Sequence, residues 1–300
     1  MKPAPFTYLC PSSIEEALTE LAEYGEDAKV LGGGQSLVPL LNFRIARPVV
    51  LIDINGLAGE LDYIRLEEEG TLAVGALTRQ RALELTPLTL SRHRTLAEAV
   101  PWIGEVGIRN RGTVGGSVAH CDPTAELSTV LIALGGEVVV RGPSGLRHER
   151  AVDFFVGSYG TTLADEEIVT EVRFPPEPVG GGTAFIELGR RRGDFALVGV
   201  AACLFLGSQG TVVEARLAVA GAGEVPRRME CAENILCGER MSEGVLHEVA
   251  ELVAEVAEPV GNLHGGEAYR RNLVCVFTAR ALKLAWKRAI NGADGEAIHG

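Results

Sequence analysis

The 300-residue chain reads as an α+β protein of two or three subdomains, the last a C-terminal antiparallel sheet packed with helices beyond a linker near residue 176. Three observations point there. Short apolar strands alternate with capped helices through the first 176 residues. The tract Pro175-Pro176-Glu177-Pro178-Val179-Gly180-Gly181-Gly182 is the clearest linker in the sequence. Beyond it, three strand-like runs precede two long helical ones, the order expected of an antiparallel sheet with helices on one side.

The elements follow in order. Ser13-Ile14-Glu15-Glu16 is a capping box, and Ile14, Ala17, Leu18, Leu21 and Ala22 recur at helical spacing until Gly25 stops the helix. Ala28–Leu31 is a short strand running into glycines. Val49–Ile54, with Pro48 ahead of it, is a buried strand, and Thr71–Ala76 is another. A helix is expected near Arg79–Leu85 and a longer one over Thr95–Gly107. Asp122-Pro123 looks like an N-cap with proline at the first helical position, opening a helix through Leu134. Glu137–Arg141, the turn Gly142-Pro143-Ser144-Gly145 and Leu146–Glu149 form a hairpin. Ile168–Phe174 is a further strand. After the linker come strands near Phe185–Leu188, Leu197–Leu206 and Ala215–Ala220, then helices near Ser242–Ala257 and Glu267–Ile290.

Composition narrows the function classes. A net charge of −12 argues against general nucleic-acid binding, which needs a basic face. The segment Met1-Lys2-Pro3-Ala4-Pro5 leads into no apolar signal core, and the longest apolar run, Phe195–Leu206, is too short to span a bilayer. The cysteines, Cys10, Cys121, Cys203, Cys231, Cys237 and Cys275, include no C-x-x-C pair and have no histidines at ligand spacing. A zinc or iron–sulfur site built from this chain alone is not expected, and reduced thiols in a cytoplasmic protein are.

The chemistry concentrates in two glycine clusters about eighty residues apart. The first is Leu31-Gly32-Gly33-Gly34-Gln35-Ser36-Leu37; the second runs from Arg109 through Gly112-Thr113-Val114-Gly115-Gly116-Ser117. Glycine lets backbone approach a ligand and aim successive N–H groups at anionic oxygens. Two such loops, both ending in Ser beside glycines, suggest one ligand with two phosphates gripped from both sides. The first loop taken alone has two other readings. It is either a ligand-free structural turn or a Rossmann fingerprint, with Asp53 as the ribose-binding carboxylate. Against the fingerprint, Leu37 replaces its third glycine and Pro39 follows. In the second loop, Thr113 and Ser117 bring hydroxyls beside several amides. Asp122 and Glu126 repel phosphate and suit ribityl or ribose hydroxyls instead; otherwise they are an N-cap and a solvated helix residue. His120 beside Cys121 is a minor candidate.

These motifs resemble a known family. Gly32–Leu37 followed by Pro39, Arg44 and Arg47-Pro48 is similar to the A-G-G-x-S-L-x-P motif of the FAD-binding medium subunit of the carbon monoxide dehydrogenase/xanthine dehydrogenase (molybdenum hydroxylase) family. Ile108–Ser117 is similar to its I-R-N-x-x-T-x-G-G-N motif. Gly157-x-Tyr159-x-Thr161, Glu167-Ile168, Arg190-Arg191-x-x-Asp194-x-Ala196, Tyr269-Arg270-Arg271 and Ala279-Arg280-Ala281-Leu282 also match, in the family's order. The resemblance implies a PCMH-type fold in which two α+β subdomains, over residues 1–56 and 57–176, clasp FAD and a C-terminal domain over 177–300 covers the flavin. Carried over by position, the FAD contacts are Leu31, Gly32, Gly33, Gly34, Gln35, Ser36, Leu37, Ile108, Thr113, Gly115, Gly116, Ser117, Asp122, Glu126, Ile168 and Phe195. No catalytic residue and no metal ligand is expected in this chain.

The chain departs from the family in places. Ser117 stands for the usual Asn, Gly32 for Ala, and Phe195 for a tyrosine of some relatives. Ile186 and Glu187 stand where relatives place a lysine near the flavin. Arg190–Arg192 are either a compensating cationic group or a solvated turn. By resemblance the chain relays electrons from the [2Fe–2S] clusters of a small partner through FAD to dioxygen, quinone or NAD. A large partner would carry the molybdenum cofactor, in a heterotrimer able to dimerise. The alternatives are a stand-alone FAD-dependent oxidoreductase of the same fold and a Rossmann-type NAD-binding protein.

Overall fold

The computed structural model describes residues 2–177, 180–207 and 209–296, so Met1 and the linker residues Pro178 and Val179 lie outside it. Three main sheets follow one another along the chain, with a small two-stranded one among them.

The first sheet is parallel, in the order β1 (Thr7–Leu9), β3 (Val50–Asp53), β2 (Ala28–Leu31), with both Thr7 and Ala28 in register with Val50. The first glycine loop with the helix Leu37–Asn42 makes the crossover that the parallel neighbours β2 and β3 need. The helix Ile14–Tyr24 carries the chain past β3 from β1 to β2, burying Ile14, Ala17 and Leu21. Ser13 caps that helix by accepting from the Glu16 amide at 3.1 Å. The Glu16 carboxylate reaches back one residue further than expected, accepting from the amide and hydroxyl of Ser12 at 2.6 and 2.8 Å. Gly25 ends the helix at φ +51°.

The second sheet has five antiparallel strands. Its order is β4 (Ile64–Leu66), β5 (Leu72–Gly75), β10 (Ile168–Phe174), β6 (Glu137–Gly142), β7 (Gly145–Arg150), so β10 is central although it is last in sequence. Strands β8 (Phe155–Gly157) and β9 (Gly160–Thr161) pair separately. Two helical expectations are corrected here. Thr95–Gly107 is not one helix. It breaks into Arg94–Ala99, a 3₁₀ turn at Val100–Trp102 and Val106–Arg109, because Pro101 donates no N–H and Gly104 takes φ +48°. The helix after Asp122-Pro123 starts only at Glu126. Asp122 instead closes a turn, its Oδ1 accepting from the Thr124 amide and hydroxyl at 2.8 and 2.6 Å.

The third sheet is antiparallel, in the order β11 (Gly182–Gly189), β12 (Ala196–Leu206), β13 (Val212–Ala220), β14 (Arg227–Arg228). Both of its faces are covered, not one. Val200, Ala202 and Leu204 face the helices Glu243–Val256 and Glu267–Glu296, whereas Ala201 and Cys203 join the core around the helix Glu126–Leu134. That helix comes from the second sheet's segment and is buried from Leu127 to Leu134, so one core runs from the five-stranded sheet into the C-terminal one. Double burial is why β12 reads as a continuous apolar run rather than an alternating one. Strand β1 and the helix Glu230–Leu236 are not among the elements expected from the sequence.

Candidate functional site

The two glycine loops meet. A Cβ on Gly33 would stand 2.8 Å from Gly112 Cα and 2.9 Å from the Thr113 amide, so only glycine permits this approach. Gly34 takes φ +71°, and a Cβ on Gly115 would lie 2.8 Å from Ala76 Cα. Beside the junction opens a cavity of about 630 Å³, a size suited to a cofactor. It is lined by Gly32, Gly33, Gly34, Gln35, Ser36, Leu37, Ile108, Thr113, Gly115, Gly116, Ser117, Asp122, Glu126, Ile168 and Phe195. Of the residues expected from sequence, Leu31 alone is not on its wall; its Cδ1 lies 3.2 Å from where a Cβ of Gly34 would be, under the loop.

The loops divide the work differently from expectation. In the first, the amides of Gly34, Gln35 and Ser36 donate to no carbonyl or side chain among the described residues, which leaves them free for an anion. In the second, the amides from Val114 to Ser117 are occupied. Val114 and Gly115 donate to Thr78 O and Ala76 O at 2.9 Å, Ser117 to Thr113 O at 3.0 Å, and Gly116 to Thr113 Oγ1 at 3.2 Å. This loop is stitched to the turn after β5, so it offers side chains instead. Thr113 Oγ1 accepts from Gly116 but keeps its proton for a ligand. The Ser117 hydroxyl has no partner among the described residues.

A staple behind the cavity ties the loops together. Asn55 Nδ2 donates to Gly32 O at 2.9 Å. Arg79 donates through Nη2 to Asn55 Oδ1 at 2.7 Å and through Nη1 to Arg111 O at 2.6 Å. Asp53 anchors Asn55 and also accepts from Tyr8. Burial alone would raise the Asp53 pKa. Hydrogen bonds from Tyr8 and Asn55, with the charge of Arg79, outweigh it and hold the carboxyl below its ordinary value. Asp53 is thus spent on structure, which removes the ribose-binding role of the Rossmann reading. No short sequence pattern announces this staple.

The cavity mouth is built by contact between the two halves of the chain. Arg109, buried, donates to Glu84 at 2.7 Å and to the carbonyls of Ile103 and Gly104 at 3.0 and 2.7 Å. This fixes the Gly104 turn, against which Gly193 packs so closely that a Cβ there would lie 2.9 Å from Gly104 C. Gly193, at φ +86°, with Asp194 and Phe195, then forms the rim over the cavity, and Phe195 is 79% exposed. The neighbouring arginines turn away. Arg192 lies over the Trp102 ring at 5.6 Å, and Arg190 lies 3.7 Å from Asp194. Neither lines this cavity.

Glu126 lines the cavity wall, and burial pushes its carboxyl up to about 7, so near neutral pH it can accept or donate a hydrogen bond. His120 lines the same wall with its ring 5.1 Å from Tyr159, and burial lowers its pKa. The Cys121 thiol is bonded to Gly157 O at 3.3 Å and is pushed up to about 11 by burial, an inert environment. The wall also takes in Tyr159, Gly160 and Thr161, which the Gly157-x-Tyr159-x-Thr161 pattern could have located. Among the described residues no cluster of His, Cys, Asp or Glu forms a metal site, and no helix is long and apolar enough to cross a membrane.

Comparison with known proteins agrees with this geometry. The family described as "FAD binding domain in molybdopterin dehydrogenase" matches residues 4–177, and "CO dehydrogenase flavoprotein C-terminal domain" matches residues 183–285. The chain is 40% identical to the 6-hydroxypseudooxynicotine dehydrogenase complex subunit alpha of Paenarthrobacter nicotinovorans, over 96% of this chain and 97% of that one. It is 36% identical to the carbon monoxide dehydrogenase medium chain of Hydrogenophaga pseudoflava, over 96% and 99% of the two chains. A solved structure of carbon monoxide dehydrogenase from that organism superposes with TM-score 0.93 over 96% of this chain and 99% of that one, at 37% identity. Quinoline 2-oxidoreductase from Pseudomonas putida 86 gives 0.89 over 98% and 100%, at 33% identity. The chain therefore belongs to the family of FAD-binding medium subunits of molybdopterin dehydrogenases, that of the carbon monoxide dehydrogenase medium chain.

Proposed function

We propose that the cavity between the two glycine loops holds FAD, and that the chain is the electron-relaying medium subunit of a molybdenum hydroxylase-type oxidoreductase. The residues fit the group. The free amides of Gly34, Gln35 and Ser36 suit a pyrophosphate, and the Thr113 and Ser117 hydroxyls face it from the other loop. Asp122 and Glu126 suit sugar or ribityl hydroxyls, and Phe195 offers an aromatic face at the rim. FAD, when bound, would supply two-electron redox chemistry, the capacity needed between the one-electron [2Fe–2S] clusters of a small partner and an external acceptor. This chain's own residues bind and orient the cofactor and shelter it from water; none needs to act as a general base.

Three separate sheets support dividing the chain at 1–56, 57–176 and 177–300. Relatives named as a medium chain and as a complex subunit support an assembly with further subunits; from the family resemblance we take these to be a large molybdenum-cofactor subunit and a small iron–sulfur subunit, in a cytoplasmic heterotrimer. The observation that carries the proposal is the pair of touching loops, one rich in free amides and the other in hydroxyls. The test is purification of the native assembly. FAD, iron and molybdenum together, with only FAD in the isolated chain, are expected; an assembly without iron and molybdenum would favour the stand-alone flavoenzyme.

A further inference from the structure

A second cavity, of about 550 Å³, adjoins the first along Asp122, Tyr159, Asp194 and Phe195, which line both. Its wall also carries Arg270, from the Tyr269-Arg270-Arg271 motif at the start of the helix Glu267–Glu296. The two arginines of that motif have different environments. Arg271 donates to the carbonyls of Ala254, Glu255 and Ala257 at 2.8, 3.1 and 2.7 Å, satisfying the end of the helix Glu243–Val256. Arg270 is 6% exposed, and its protein partner among the described residues is a single carbonyl, Leu197 O at 3.2 Å. Its Nε is fully buried without an acceptor, and no carboxylate pairs with it.

A guanidinium keeps its proton at any physiological pH, so this charge stays, and a buried charge without a counter-ion is unfavourable. The other charges of the cavity do not neutralise it. Asp122 accepts from Thr124 and, at 3.4 Å, from the Tyr159 hydroxyl. Asp194 lies 3.7 Å from Arg190, whose Nη1 donates to His264 Nδ1 at 3.1 Å. Because arginine only donates, that nitrogen of His264 accepts and Nε2–H is left to face a ligand. Arg270 is the unmatched charge.

We propose that this second cavity binds a small-molecule oxyanion, a phosphate or carboxylate group, which pairs with Arg270 and is approached by Arg190 at the rim. A desolvated guanidinium suits either group through charge-assisted hydrogen bonds.

The test is calorimetric titration of the full chain, as purified with its flavin, with sodium phosphate and separately with sodium malonate. Ionic strength is held fixed, and sodium chloride serves as control. The expected result is saturable binding of one anion per chain, phosphate or malonate according to the group the site prefers. Arg270→Met should weaken it at least ~tenfold, and Arg190→Gln by less. In anion-free buffer Arg270→Met should melt no lower than the parent chain, because it removes an uncompensated buried charge. A purely structural arginine would instead lower the melting point on replacement. If Arg270→Met fails to fold, Arg270→Lys keeps a charge without the fork and should bind weakly. Binding unaffected by Arg270 substitutions, or no saturable binding beyond chloride, would overturn the proposal. So would binding seen in the free chain and lost in the native assembly, which would assign the cavity to a partner's acidic side chain.

Discussion

Glu187→Gln should stabilise this protein at neutral and higher pH. Glu187 lies on β11, is 5% exposed, and neither carboxylate oxygen has a hydrogen-bond partner among the described residues. Burial, and then the nearby charge of Glu126, push its pKa up to about 9 from an ordinary 4.5. In the unfolded chain the group is ionised at pH 7.5, so folding must take up a proton. Three units at 1.36 kcal/mol each make that uptake cost about 4 kcal/mol. The sign follows: with the folded pKa raised, the group's stabilising contribution is full below pH 4.5 and is lost progressively as pH climbs towards 9. Glutamine has the same shape and no proton to take up, but its amide is also buried without partners, at a cost of roughly 1–2 kcal/mol. The net gain expected at pH 7.5 is about 2–3 kcal/mol, vanishing or reversing near pH 4.5. Denaturant midpoints for both proteins at intervals from pH 5 to 9 measure it. The parent chain should lose stability with rising pH more steeply than the variant, by up to ~1.4 kcal/mol per pH unit. Parallel pH profiles, or a variant less stable at pH 8, would refute the reasoning.

Three further outcomes concern the loops. Ser117→Ala should leave the melting temperature unchanged, since its hydroxyl has no intrachain partner, yet weaken FAD binding ~5–10-fold for one lost hydrogen bond; Ser117→Asn should keep or tighten it, by fluorescence titration. Arg79→Ala removes the bonds to Arg111 O and Asn55 Oδ1. It should cost about 2 kcal/mol in unfolding free energy and speed flavin release measured by chase with excess free cofactor. Gly33→Ala should push the loops apart at Gly112 and yield a chain with unchanged circular dichroism but little bound flavin.

What the sequence made legible was local. The capped helix after Ser13, the strand Ala28–Leu31 and the two glycine loops depend on residues within a few positions of one another, so cap and turn chemistry reveal them. The helix expected over Thr95–Gly107 is broken because Pro101 donates no N–H and Gly104 takes a positive φ, so two single residues interrupt an otherwise helical stretch. Asp122-Pro123 looked like a cap, but a cap and a closed Asx turn share the same residues. The glycine pattern of the second loop could not show that its amides are spent on Ala76 and Thr78, more than thirty positions away. Nor could it show Arg79 stapling Asn55 to Arg111, or Arg109 holding the Gly104 turn for Gly193 to pack on. Those contacts are long-range, made by ordinary polar residues that also populate solvated surfaces. The covered second face of the C-terminal sheet belongs to the same class: its cover, the helix Glu126–Leu134, comes from the other half of the chain.

The central claim is that the two touching loops form an FAD clasp. Its most direct measurement is titration of the flavin-stripped chain with FAD, read in the visible spectrum after removal of unbound cofactor. The clasp predicts retention of one FAD per chain, with bands near ~450 nm, and loss of that retention in Gly33→Ala. A chain that stays colourless with excess FAD, or a Gly33→Ala variant that retains a full equivalent, would contradict it.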